Sequence, residues 1–336
     1  MAYYDNVVLE KSMYQSNHKS FSDILEEADP STSYSGTPLA ELDAFERQLK
    51  RFDIKVKGFG SDEVAKFFQT SQSATLFPEY VKRCVVQGIE SANILKDIIA
   101  TNTKINALDY RPIASITTQD DKELKKVAEG AIIPSTEIRI QENLVKLTKR
   151  GRMLVSSYEA IKFQRLDLFA VTLKQIGTYI AKSQLQDAIS VILNGDGNFN
   201  EAQILNVSNA GQLTYEDLIT LWSKFENYDM NRLLVAPDVM AKMLSIAELK
   251  DPATGLNFQG TGKLSTPLGA TLYRSDAVPA GKIIALDKSC ALEMVTASDV
   301  SIEHDKLIDR QLERASITST AGFAKIFSDA SMVMAI

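Results

Sequence analysis

VAEGAIIPSTEIRIQENLVKLTKRGRMLVS, Val127 to Ser156, alternates apolar and polar residues over much of its length and carries charges of both signs. A half-buried strand alternates at period two. Ile138, Ile140, Val145 and Leu147 fit that template, with Arg139, Gln141, Lys146 and Thr148 between them. Two such strands predict a hairpin. The segment before it, TTQDDKELKKVAEGA, is too polar to supply the facing half of a core. An isolated two-stranded ribbon is marginal in water, so this one must lie on its own domain or find a neighbouring molecule.

Working outward, the period changes directly after the ribbon. Leu166, Phe169, Leu173, Ile176 and Ile180 step by three and four, and Leu185, Ala188 and Ile192 carry the apolar face onward. The pattern predicts one helix from about Ser157 to Leu193, roughly 50 Å long at 1.5 Å per residue. NGDG after Leu193 supplies turn residues for its C-terminal cap. Beyond it, Thr214 opens a helix through LTYEDLITLWSKF, RLLVA reads as a buried strand and PDVMAKMLSI as another helix. KDPATGLNFQGTGKLST reads as a long loop. LGATLYRS, GKIIALD, CALEMVTA, SITSTAG and FAKIF read as strands, and the apolar terminus MVMAI should be pinned in a sheet. Trp222, beside Leu218, Leu221 and Phe225, reads as core.

Upstream, residues 1–36 are polar and lack a sustained period, which reads as an arm or leader. Thr37 followed by Pro38 reads as a helix start, with Leu42, Phe45, Leu49 and Phe52 on one face. A second short helix is expected after Ser61 with Val64, Phe67 and Phe68, and a third from Pro78 with Val81, Cys84 and Val85. These read as short helices along an extended lead-in with little sign of a core of their own. KINALDYRPIASITT reads as a strand interrupted by Pro112. The class is α+β.

A chain of 336 residues can bury a substantial core and suggests about two domains. No run approaches the roughly 18 consecutive apolar residues of a membrane span, and the first twenty residues lack the order of a signal peptide, so a cytoplasmic origin is expected. Cys84 and Cys290 sit among apolar neighbours and read as buried, reduced thiols. A net charge of -6 and a pI near 5.2 argue against a dedicated nucleic-acid binder. The basic clusters RQLKRFDIKVKG and LTKRGR read as solvated faces.

Motifs of chemistry are near misses. GTGKLS, Gly260 to Ser265, lacks the first Gly of a phosphate loop, where Asn257 stands, and has Leu264 at the hydroxyl position. GFGSDE at Gly58 has Glu63 in place of the third glycine of a dinucleotide loop. DGNFN sets Asp196, Asn198 and Asn200 like the start of a calcium loop. There Glu201 replaces the required Gly and Val207 stands where the bidentate Glu belongs, so a helix cap explains it better. His18 lies in the polar leader and His304 between Glu303 and Asp305, where an acid-neutralised surface histidine is expected. The expectation is no enzyme, no cofactor and no metal.

Several stretches carry a resemblance. TSQSATLFPEYVKRCVVQGIESANILKDIIATNTKI is similar to the arm-to-body passage of many phage capsid subunits. EGAIIPSTEI resembles part of their extended loop, and LVKLTKRGRMLVSSYEAI the strand returning into a spine helix that ends in LNGDG. LLVAPDVMAKML, LGATLYRSDAVPAGKIIALD and GFAKIFSDASMVMAI resemble the axial domain and the closing peripheral strands. In number and order these resemble the major capsid protein of tailed bacteriophages, the fold named after phage HK-ninety-seven.

That resemblance implies residues 1–75 as N-terminal arm and 76–118 as arm-to-body helix and first peripheral strand. It implies 119–152 as extended loop and 153–200 as peripheral domain with spine helix. Residues 201–290 follow as axial domain and 291–336 as closing strands. It implies a self-assembling icosahedral or prolate shell around double-stranded DNA, in the virion after assembly in the bacterial cytoplasm. Its partners would be copies of itself as hexamers and pentamers, with scaffold, portal and decoration proteins. Contact residues of the loop would be Lys122, Lys125, Lys126, Glu129, Ile132, Ile133, Glu137, Arg139, Lys146, Arg150 and Arg152. In the founding member a loop Lys and a peripheral Asn form an isopeptide bond. Here no Asn occurs after Asn257, which implies non-covalent shells. The rival on the same fold is an encapsulin-like compartment around a cargo enzyme, and the local resemblance is closer to the capsid.

Overall fold

A computed structural model describes residues 4–15, 19–107, 109–115, 126–131, 133, 138–157, 163–250, 267–307, 309 and 312–336. The helices are α1 Phe21–Ala28, α2 Ala44–Arg51, α3 Ser71–Thr75, α4 Phe77–Ala92, α5 Leu166–Asn194, α6 Tyr215–Ser223, α7 Pro237–Met243 and α8 Ala247–Lys250. The first strands are β1 Thr101–Lys104, β2 Ile113–Ser115, β3 Ile138–Ile140, β4 Thr148–Ser157, β5 Gln203–Asn206 and β6 Arg232–Val235. The rest are β7 Thr271–Arg274, β8 Lys282–Leu286, β9 Leu292–Leu307, β10 Leu312–Lys325 and β11 Ser331–Ala335. The class is α+β, as expected. The chain divides into two compact units, Met1–Ala92 with Arg150–Ile180 and Val300–Ser319, and Asn93–Lys149 with Ala181–Asp299 and Thr320–Ile336.

In the first unit α2 starts six residues later than Thr37 and Pro38 suggest. Asp43 accepts from the Glu46 amide at 2.7 Å while the Glu46 side chain accepts from the Asp43 amide, a reciprocal capping box. The Thr37 hydroxyl is spent instead on the Tyr34 carbonyl at 2.7 Å, in a turn. The lead-in also has a core after all. Phe21, Leu25, Phe45, Leu49, Val64, Phe67, Tyr80 and Val85 are buried in one cluster with Leu173 and Ile176 of α5. The facing surface comes from nearly a hundred residues downstream, which a local period cannot reveal. Phe67, Phe77, Tyr80 and Phe169 stack and tilt against one another within it.

Arg47 of α2 is wholly buried, and it ties this lead-in together. Its guanidinium meets Asp29 Oδ2 at 2.6 Å and donates to the Asp29 and Leu42 carbonyls and to Ser31 Oγ. It also lies 4.3 Å from the Tyr34 ring centroid. α4 and α5 cross with backbones touching. A Cβ on Gly88 would fall 2.1 Å from the Lys174 carbonyl oxygen, and one on Gly177 would fall 2.1 Å from that of Val85. Only glycine at both positions allows that approach.

α5 begins at Leu166, not near Ser157. β4 continues to Ser157, and the residues before the helix are held extended: Val64 N–H donates to the Gln164 carbonyl at 2.9 Å and Glu63 bridges Arg165. At 29 residues the helix spans about 43 Å at 1.5 Å per residue.

The second unit is built on a five-stranded sheet in the order β5-β11-β8-β6-β7. β11 lies parallel to β5 and antiparallel to β8, so the apolar terminus is pinned on both sides as expected. Leu233, Val235, Ile283, Leu286 and Val333 are buried here with Leu185, Ile189 and Ile192 of α5. β1 pairs parallel with the first residues of β9. Trp222 is not core. Leu218 and Leu221 take the buried face of α6, and Trp222, about 100° further round the helix, is 51% exposed. Cys84 is buried as expected, whereas Cys290, at the turn before β9, is only half-buried. The stretch 251–266, expected to be a loop and containing GTGKLS, the side chain of His304, and His18 lie outside the described residues. No described helix is long and apolar enough to cross a membrane.

Candidate assembly surface

The root of the ribbon is an antiparallel pair. β2 and β3 align Ile113 with Ile140 and Ala114 with Arg139. Beyond them Gln141 N–H donates to the Pro112 carbonyl and Val145 N–H to the Tyr110 carbonyl, both at 2.9 Å. The return strand is fastened to the second unit. Val145 is buried with Val295 and Ala324, and Leu147 packs at their edge. Gly322 of β10 makes room, since a Cβ there would meet the Lys146 carbonyl oxygen at 2.7 Å and Val145 Cγ1 at 2.8 Å.

Val145 and Leu147 therefore face their own subunit, as the alternation suggests. Ile140 does not. It is 68% exposed, and its cross-strand partner Ile113 is 60% exposed. Period two distinguishes two faces without saying what covers either one. Val127, Ile133 and Leu144 are exposed as well. The ribbon thus has an anchored root and an uncovered apolar face, a pairing whose burial is worth about 25 cal/mol per Å² once a partner is supplied.

Of the expected contact residues, Lys126, Glu129, Ile133, Lys146 and Arg152 are exposed and Arg150 is half-buried. Arg139 sits in β3, with its side chain outside the described residues. Lys122, Lys125, Ile132 and Glu137 also lie outside them. Sequence reasoning missed Phe59 and Phe199, exposed at 100% and 96%. Each sits in a tight turn beside glycines at positive φ, Gly58 in the first and Gly195 and Gly197 in the second, and Phe199 is itself at φ 56°. An aromatic in a short glycine-bearing stretch, GFG at 58–60 and GDGNF at 195–199, was the available signal. The calcium-like Asp196, Asn198 and Asn200 spend oxygens on hydrogen bonds within the fold, to one another and to the Asn143 amide. A cavity of about 910 Å³ lies in the first unit. Arg83 on its wall is engaged by Asp43 and Glu79.

The fold is shared with assembled particles. A virus-like particle protein from Pyrococcus furiosus is 14% identical, with 76% of this chain and 98% of that one aligned at a TM-score of 0.52. The capsid of a native GTA particle is 12% identical over 72% of this chain and 89% of that one, at 0.55. The capsid of cyanophage P-SCSP1u is 14% identical over 73% and 88%, at 0.51. No curated protein matches the chain in sequence. Residues 141–323, more than half of the chain, match the family described as Phage capsid protein. They begin on the return strand of the ribbon and end in β10, and the match favours the capsid over the cargo compartment. The chain belongs to the phage capsid protein family and is a structural protein, a major capsid shell protein of the HK-ninety-seven-like fold.

Proposed function

We infer that this chain assembles with copies of itself into the closed head of a tailed phage, as hexamers and pentamers around packaged double-stranded DNA. The observation that supports this most directly is the exposed Ile113 and Ile140 pair on a ribbon whose root is anchored in its own core. In this reading residues 119–152 are the extended loop and reach the next subunit, 1–75 form the arm, 153–200 and 291–336 the peripheral domain, and 201–290 the axial domain. The head assembles in the bacterial cytoplasm, with scaffold, portal and decoration proteins as further partners. The net charge of -6 suits a wall that must not bind tightly to DNA driven past it.

Electron microscopy of the purified chain tests the reading. Closed shells tens of nanometres across are expected from particles of this fold, and a monomer persisting at high concentration would overturn it. Shells boiled in denaturant should return intact single chains, because no Asn follows Asn257 to couple with a loop lysine such as Lys126. A ladder of covalent multimers would refute that.

A further inference from the structure

The loop that follows α5 reaches the ribbon. Gly195 and Gly197 take positive φ, and the turn they form carries Asp196 and Asn198 towards the ribbon root. Asn198 Nδ2 donates to Gln141 Oε1 at 2.6 Å, and Asn198 Oδ1 accepts from the Asn143 amide at 3.2 Å. The Asn143 side chain donates to the Gly197 carbonyl. Behind Asn198 stands Asp196. Its Oδ1 accepts from the Asn198 amide and side chain at 3.2 and 2.8 Å, and its Oδ2 accepts from the Lys325 amide at the end of β10 at 3.0 Å. Gln141 is itself buried, so its bond to Asn198 is shielded from water.

We propose that Asn198 is a positioning residue for assembly: it clamps Gln141 and Asn143 and so fixes the direction in which the ribbon leaves the subunit for its neighbour. This rests on the ribbon being the inter-subunit contact. The geometry favours direction over mere stability because the clamp grips the chain immediately after β3, where the ribbon emerges, and not the buried Val145 that holds it down. A hinge there would swing Ile113 and Ile140 together, since they are paired across the ribbon.

The test compares Asn198→Ala with Asn200→Ala in the full chain. Asn200 accepts from the Asp196 amide and makes no hydrogen bond to the ribbon among the described residues, so it controls for loosening the loop. Both variants should lower the melting temperature by a similar few degrees. Only Asn198→Ala should raise the protein concentration needed for shells, by about tenfold, the equivalent of roughly 1.4 kcal/mol and of one to two lost hydrogen bonds. It should also broaden the distribution of shell diameters. Gln141→Ala should do the same, and the double variant should be no worse than either single one. In unassembled subunits, amide exchange across 138–145 should quicken for Asn198→Ala and not for Asn200→Ala. Shells of normal concentration and diameter from Asn198→Ala, or equal impairment by Asn200→Ala, would overturn the proposal. A wild-type chain that forms no shells overturns the function it rests on; unchanged exchange across 138–145 then sinks the clamp separately.

Discussion

Among the described residues each unit buries one cation completely, and the two are housed in opposite ways. Arg47 of the first unit has its donors directed at Asp29, Ser31 and Leu42. Lys325 of the second is 1% exposed, and its ammonium has no hydrogen-bond partner among the described residues. A planar fork with five donors can be satisfied by a turn of backbone, whereas a point charge on a long stem must meet an acceptor at its tip. The difference teaches which unit relies on its charge. Removing the guanidinium leaves Asp29 buried without its counter-charge, held only by the Tyr34 hydroxyl, so Arg47→Ala should destabilise the first unit by about 3 to 5 kcal/mol. Chemical unfolding followed by a probe in that unit measures it, and a loss below about 1 kcal/mol would show the pair to be dispensable.

The second cation should respond with the opposite sign. Burial pushes the Lys325 amine down to about 8, against the pull of Asp196, Asp329 and Glu201. The folded state therefore holds this proton only to about 8, while the unfolded chain holds it to 10.5. Between those values the unfolded state binds more protons, so stability attributable to this group rises with pH across that window and the full penalty stands below it. Lys325→Met should stabilise the second unit at pH 7 by about 2 kcal/mol. Its advantage should shrink as pH rises from 8 towards 10.5. An advantage that does not change with pH, or a destabilised variant, would mean the acids around it outweigh its burial.

A buried anion separates satisfaction from sign of charge. Asp217 at the start of α6 accepts from Ser208 and Thr214, each through both amide and hydroxyl. Burial alone would raise its pKa, and these four bonds instead hold it at about 2. Its contribution is present above 3.8 and is lost as pH falls through about 2. Asp217→Asn keeps the size and forfeits part of the cap, so it should cost about 1 kcal/mol at pH 7. The gap to wild type should close near pH 2. A gap that persists there would assign the effect to shape and not to the carboxylate.

These buried groups are also where the sequence was hardest to read. The 3.6-residue period from Leu166 to Ile192 was legible because one helix face meets one core at a time, and the terminal MVMAI because apolar ends need cover. Arg47 looked like one of a solvated basic cluster, since nothing in RQLKRFDIKVKG says that Asp29 will stand opposite. The core of the lead-in was hidden for the same reason: Leu173 and Ile176 complete it from far away. At the assembly surface, the alternation located the ribbon and was right for Val145 and Leu147. For Ile140 it marked an apolar face without saying what covers it, and that side chain is exposed in the subunit.

That last contrast sets the smallest expected effect on the subunit and the most telling one for the shell. Lys146 is exposed on the return strand, between buried Val145 and half-buried Leu147. Its charge lies in water, where pairs are each worth roughly 0 to 1 kcal/mol. Reversing it should move the melting free energy by less than about 0.5 kcal/mol. In a shell the same contact recurs in every copy, and a like charge placed opposite its partner is penalised each time. Lys146→Glu, and likewise Arg139→Glu in β3, should therefore weaken assembly, with the concentration needed for shells rising more steeply at low salt than at high. Equal losses of shell formation and subunit melting temperature would place these residues within the fold of their own subunit, and the ribbon would then cease to differ from Val145 in the way the proposed contact requires.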